Sequence, residues 1–240
     1  MPAHNEEALL GETLRILRSS ADALGEPYEI IVVDDASTDR TAEIARSRGA
    51  SVVSIDRRQI AASRNAGAKV ARGDIFIFVD ADTHVFAPTI RSAVAAIRDG
   101  AVGGGARFQL DAEAPWWAAI VFGIVLWVVR LFRWAAGCFI FARRDAFEAV
   151  GGFDERYYAT EELVLSKALK RRGRMVIVRE PVLTSGRKAR LYTFGDLRRL
   201  LWRYALRGES FVQRRENLHM WYDGRREKKR PSAEAPRSRP

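Results

Sequence analysis

Ile75-Phe76-Ile77-Phe78-Val79-Asp80-Ala81-Asp82 decides the fold. Five unbroken apolar residues followed by two acids read as a strand buried on both faces that ends at a charged edge. Working outward, Glu29 to Val33 is a second short strand, and it also stops at a pair of acids, Asp34-Asp35. Ser51 to Ile55 is a third. Helical patterns lie between them. Leu10, Leu14 and Leu17 repeat at helical spacing, with Asn5 as the expected cap and Glu6 and Glu7 in the first turn. Ser37 or Thr38 starts a helix that runs to about Ser47. Ile60 to Ala71 is a helix stopped at Gly73, and Pro88 opens the next one. Strand alternating with helix predicts an α/β fold, a mainly parallel central sheet flanked by helices. Such sheets bind ligands beyond the carboxyl ends of their strands. Both acidic clusters fall there.

The second half is less regular. Ala101 to Leu110, Cys138 to Ala142 and Met175 to Arg179 read as strands. Glu161 to Arg172 and the basic stretch Asp196 to Arg207 read as helices. Trp116 to Val129 is fourteen residues without a charge, interrupted by Arg130 and Arg133. That falls short of the ~18–20 residues that span a bilayer. The segment 116–134 therefore reads as a helix either in the core or in a membrane interface.

The chain carries a net charge of +10, and the tail from Arg225 holds seven Arg/Lys against two Glu. With three prolines and no bulky apolar residue, the tail (223–240) is expected to be disordered. The basic balance points to an anionic partner: nucleic acid, a membrane surface or a phosphate-bearing substrate. No nucleic-acid module is recognisable, and half the excess charge sits in the tail, so specific nucleic-acid binding is not expected. The single cysteine, Cys138, excludes an internal disulfide.

Each acidic cluster has a chemical use and a plainer one. Asp80 and Asp82, two apart on an extended segment, can face one site. Their mutual repulsion is relieved by a cation, and Mg²⁺ or Mn²⁺ takes carboxylate and diphosphate oxygens together. A solvated turn fits as well. Asp34-Asp35 can bind a base or ribose, or cap the following helix. Arg64 can fork onto a phosphate or lie on the surface. Glu161 or Glu162 can act as a general base, or simply occupy a favourable first helical turn. His84 reads as structural rather than as a ligand.

Taken in order, Pro2-Ala3-His4-Asn5-Glu6-Glu7, Val33-Asp34-Asp35-Ala36-Ser37-Thr38-Asp39, Arg64-Asn65-Ala66-Gly67, Asp80-Ala81-Asp82, Gly151-Gly152-Phe153-Asp154-Glu155 and Glu161-Glu162 resemble the family-2 glycosyltransferases. The resemblance covers roughly residues 2–173. It implies a GT-A-type nucleotide-sugar-binding fold, a UDP- or GDP-linked donor, a divalent metal and inversion at the anomeric carbon. By position, Pro2, Ala3, Asn5, Glu6, Asp34 and Asp35 would hold the nucleoside. Arg64 would sit near the phosphates. Asp80, Ala81 and Asp82 would hold ribose, diphosphate and metal, with Asp82 the direct ligand and Asp80 beside it. Glu162 would be the catalytic base, in place of the family's usual Asp, with Glu161 as its rival. Apart from the resemblance, the basic loop after Leu183 makes Arg187, Lys188 and Arg190 candidates to help stabilise the leaving diphosphate.

On this basis residues 1–222 form one domain, a nucleotide-binding half (1–100) and an acceptor-side half (101–222). The apolar strand that normally precedes the Pro-Ala-x-Asn-Glu motif is expected to be missing. No Gln-x-x-Arg-Trp motif of processive synthases is found, so a single sugar is expected to move. The apolar segment and the basic second half point to a lipid or polyprenyl-phosphate acceptor and an anionic membrane surface. The expected location is cytoplasmic, peripheral on the inner face of the membrane. The alternative is a non-catalytic nucleotide-binding or membrane-associated scaffold of the same fold.

Overall fold

A computed structural model describes residues 1–110, 123, 134, 135 and 137–222. The chain runs β1 (Pro2–Ala3), α1 (Leu10–Asp22), β2 (Ile31–Asp35), α2 (Thr41–Ser47), β3 (Ser51–Ile55), α3 (Ile60–Val70) and β4 (Ile75–Val79). Then come β5 (Thr83–His84), α4 (Ala87–Arg98), β6 (Gly103–Leu110), β7 (Phe139–Arg143), α5 (Arg144–Ala149), α6 (Glu161–Lys170) and β8 (Met175–Thr184). The C-terminal part is helical: α7 (Arg187–Leu191), α8 (Phe194–Arg207), α9 (Glu209–Val212), a 3-10 turn at Arg215–Asn217 and α10 (His219–Tyr222). Of the expected helix 116–134 only Gly123 and Trp134 are described, and the tail 223–240 lies outside the described residues.

The deciding stretch is β4; one face is buried and the other is half-buried at Ile75 and Ile77 and buried at Val79. Phe76 and Phe78 enter one core with Phe147, Phe153, Leu165 and Leu169. Val79 enters the other with Val85, Ile90 and Phe139, while Ile75 and Ile77 pack against it. The period of two thus sends alternate residues into two cores, which is why the run carries no polar alternation. Phe78 meets Phe153 edge-on at 5.0 Å. Burying each such ring contributes about 1.5–3 kcal/mol.

Strands β1, β2 and β3 form a parallel sheet, with Ala3 opposite Asp34 and Asp34 opposite Ser54. The Pro-Ala of the first motif itself forms the two-residue strand β1. Its ladder is extended by Val33 N–H donating to the Met1 carbonyl at 2.8 Å. The second sheet has the order β4-β7-β6-β8-β5 and is mixed: only β6 and β8 run parallel. Parallel pairing therefore joins the first three strands to one another and β6 to β8. In the second sheet β7, from later in the chain, inserts antiparallel between β4 and β6. Local periodicity carries no information about such an insertion.

Several boundaries differ from expectation. Strand β8 continues past Arg179 because Pro181 falls where the β6–β8 register shifts, and a bulge tolerates the missing donor. Helix α1 starts at Leu10, not at Glu6. Helix α2 starts at Thr41, because Asp39 accepts from both the Thr41 amide and its hydroxyl, leaving Ser37 and Thr38 in the preceding loop. In β6 a side chain at Gly104 would collide with the Val176 carbonyl and the Phe141 ring, so glycine permits this close strand approach.

Candidate functional site

The carboxyl ends of β1, β2 and β4 open onto one cavity of about 460 Å³. Pro2, Ala3, His4, Asn5 and Glu6 line it after β1. Asp35, Thr38, Arg58, Gln59 and Ser63 line it after β2 and before α3. Asp80, Ala81 and Asp82 line it after β4. Arg187, Arg215 and Tyr222 complete the wall.

Asn5 does not cap α1. Its backbone is left-handed at φ 53°, and its side-chain oxygen accepts from the Thr38 amide at 2.7 Å. The Asn5 amide donates to Ser37 Oγ at 3.0 Å. Asn5 therefore ties the β1 loop to the β2 loop, and both loops line the cavity.

Asp35 is a clamp. Its Oδ1 accepts from the amides of Arg57 and Arg58, both at 2.7 Å, and its Oδ2 accepts from the Gln59 amide at 2.8 Å and Ser63 Oγ at 2.9 Å. These bonds hold Arg58 in a left-handed conformation at φ 47°, a strain of about 1–3 kcal/mol. Asp34, on the opposite face of β2, is buried and does not line the cavity. Its Oδ1 has no hydrogen-bond partner among the described residues.

The Asp80-Ala81-Asp82 stretch is a turn rather than an extended segment, closed by the Thr83 amide donating to the Asp80 carbonyl at 3.1 Å. Both aspartates still line the cavity. Among the described residues no three His, Cys, Asp or Glu side chains gather into a metal cluster. Two oxygen donors are nevertheless what Mg²⁺-type ions commonly take from protein, the rest coming from water and substrate phosphate. The donor chemistry of the two carboxylates would fit a hard divalent ion.

Arg64 is not on the surface. It is 3% exposed and lies at the centre of an ion network. Its Nη1 donates to Glu161 Oε1 at 2.8 Å, and its Nη2 donates to Asp80 Oδ1 at 2.9 Å and to the Gly137 carbonyl at 2.6 Å. The guanidinium rests over the Phe153 ring at 5.2 Å. Next to it, Asn65 holds Phe153 twice, donating to its carbonyl and accepting from its amide, each at 2.9 Å. The Arg-Asn motif and the Gly-Gly-Phe motif are thus two halves of one joint. Gly152 sits at φ 73°, and a Cβ there would stand 2.8 Å from Asn65 Oδ1.

Glu161 and Glu162 open α6 as expected, but their surroundings differ. Glu161 is buried and paired to Arg64. Glu162 lies beside Gly137, whose Cβ, if present, would be 3.5 Å from its carboxyl. Desolvation, and then the neighbouring Glu161 charge, push the Glu162 carboxyl up to about 8, with Arg64 opposing. Neither glutamate lines the cavity; Glu161 is linked to it through Arg64 and Asp80.

Arg187, just after β8, reaches the loop after β1 across the cavity. It donates to Glu6 at 3.0 and 2.9 Å and reaches Asp82 Oδ2 at 3.5 Å. His84 lies in β5 opposite Leu183 and does not line the cavity. Sequence reasoning missed His4, Thr38, Arg58, Gln59, Ser63, Arg215 and Tyr222. His4 and Thr38 stood inside quoted motifs; no local signal marks Arg215 or Tyr222.

The family model for glycosyl transferase family 2 matches residues 1–152. An undecaprenyl-phosphate 4-deoxy-4-formamido-L-arabinose transferase of Pseudomonas paraeruginosa is 41% identical over 90 residues, 34% of this chain and 26% of that protein. The protein of the same name in Shewanella sediminis is 35% identical over 107 residues, 42% of this chain and 32% of that protein. The matched stretch thus spans only about a third or less of these relatives' length. Among solved structures, the mannosyltransferase PcManGT from Pyrobaculum calidifontis, in complex with GDP-Man and Mn²⁺, superposes with a TM-score of 0.62 at 21% identity, covering 88% of this chain and 61% of that one. S. aureus TarS in complex with UDP-GlcNAc gives 0.60 at 19% identity, covering 77% and 56%. The α/β fold is that of the GT-A glycosyltransferases. With well over half of its residues inside the family model, the protein belongs to glycosyl transferase family 2.

Proposed function

We propose that the protein transfers a single sugar from a UDP- or GDP-linked donor to a lipid-held acceptor, with inversion at the anomeric carbon. The observation that carries this reading is one cavity lined by Asp35, Asp80 and Asp82 and also by Arg58, Arg187 and Arg215. Carboxylates suit ribose hydroxyls and a cation; arginines suit phosphate oxygens. The acceptor reading draws on relatives named for undecaprenyl phosphate.

In this mechanism Asn5 and Asp35 hold the two loops that receive the nucleoside. Asp82 and Asp80 would hold a divalent ion, which would supply positive charge against the leaving diphosphate. Arg187 faces the same charge. Glu162 stands outside the donor cavity, beside Gly137; on this reading the acceptor enters from that side, and Glu162 accepts the proton that its attacking oxygen still carries, whether an alcohol or a singly ionised phosphate. That oxygen bonds to the anomeric carbon as the bond to the diphosphate breaks on the opposite face. Glu161 is committed to Arg64 and positions rather than reacts. Replacing Asp82 with Ala is expected to abolish transfer while leaving the melting temperature within a few degrees. Full activity in that variant would overturn the assignment.

A further inference from the structure

Helix α8 (Phe194–Arg207) is fixed at its start by a full capping box between Thr193 and Asp196, so its faces are set. Leu200 packs against the cluster of Tyr157, Ala159, Phe211, Val212 and Leu218. Tyr222 packs on the same cluster and lines the cavity. The helix therefore lies one packing layer from the site. Its other side is unusual. Phe194, Trp202 and Leu206 are 52%, 66% and 69% exposed. With Arg198 they recur every four residues, which places them on one stripe. Arg199, Arg203 and Arg207 recur every four residues on the adjacent stripe, and all three are exposed. Against four arginines the helix has one acid, Asp196, which pairs with Arg199 at 3.5 Å.

We infer that this face of α8 docks the protein on an anionic lipid bilayer. Trp202, Leu206 and Phe194 enter the headgroup–acyl boundary, and the arginine stripe lies along the lipid phosphates. The apolar stripe alone would fit any hydrophobic partner. The flanking row of arginines selects a surface that is negative over the helix's whole length. Docking here brings the cavity wall beside the membrane, so the inference deepens the lipid-acceptor reading and rests on it for its purpose, though not for its test.

The test is cosedimentation of the full chain with phosphatidylcholine vesicles, with and without phosphatidylglycerol. The tail stays in every variant, so its charge is constant. The wild type is expected to bind only the anionic vesicles. Trp202→Ala with Leu206→Ala is expected to weaken binding about tenfold or more. Arg198→Gln, Arg203→Gln and Arg207→Gln together are expected to weaken it about a hundredfold. These side chains are exposed, so unchanged melting curves confirm folded variants. Wild-type affinity for anionic vesicles in both variants would overturn the proposal. So would variants that keep vesicle binding and lose only affinity for a single-stranded oligonucleotide. Hydrolysis of soluble donor should survive in both variants; vesicle binding by a wild type that turns over no donor would sink the transferase reading and leave this surface standing.

Discussion

Arg187 and Glu6, 181 residues apart, share two hydrogen bonds of 3.0 and 2.9 Å. Both side chains are nearly buried, and the same guanidinium reaches Asp82. A forked pair of this kind is stronger than a surface ion pair. A double-mutant cycle between Glu6→Gln and Arg187→Ala is expected to show a coupling of about 1–3 kcal/mol in unfolding free energy. Additive effects would show that the bridge does not form.

Arg64 supports a heavier load. Removing it strands Glu161 in a buried site. Arg64→Met is therefore expected to cost about 3–5 kcal/mol in chemical denaturation. Arg40→Met is the control: its side chain is 72% exposed and its pair with Glu7 is at 3.7 Å, so it should stay within about 0.5 kcal/mol. Equal costs would refute the network.

The joint between the two motifs can be loosened from either side. Asn65→Ala removes both bonds to Phe153 and is expected to cost about 1–3 kcal/mol. Gly152→Ala meets a left-handed backbone and the Asn65 oxygen together, and is expected to cost about 1–2 kcal/mol from the backbone alone. Thermal melts read both. In Asn65→Ala the steric part vanishes, so the double variant should cost less than the sum.

Activity should follow the protonation of Glu162. A base works deprotonated, so the rate is expected to rise with pH and level off above about 8. Glu162→Gln should lose most activity and this limb with it. Glu161→Gln should keep the limb but move it to lower pH, because desolvation, the main cause of the raised Glu162 carboxyl, then acts without the added Glu161 charge. An unchanged limb in Glu162→Gln would take the base assignment away from it.

Much of this was legible from residue order. The run Ile75–Val79 and its two acids gave a buried strand pointing at the site, because strand period and burial are local properties. Glu161 and Glu162 were readable as a first helical turn for the same reason. Asn5 was misread as a cap because its side chain serves the same chemistry, accepting backbone amides, across a gap of 33 residues at Thr38. Taken alone, Arg64 could be read as a surface arginine, because its partners Glu161, Asp80 and Gly137 lie on three separate segments. Arg215 and Tyr222 were invisible: only the packing of the last helices brings them to the cavity. Nor does alternation of elements say that β7 inserts between β4 and β6.

The central claim is that the cavity holds a nucleoside diphosphate together with a divalent ion at Asp82. Calorimetric titration of UDP and of GDP into the full chain, with Mn²⁺ and again with a chelator, tests it most directly. One nucleotide is expected to bind with Mn²⁺, and to bind about tenfold or more weakly in chelator and in Asp82→Asn. Folded protein that binds neither nucleotide, or binds one equally well without the ion and without the Asp82 carboxylate, would contradict the account and favour a non-catalytic scaffold.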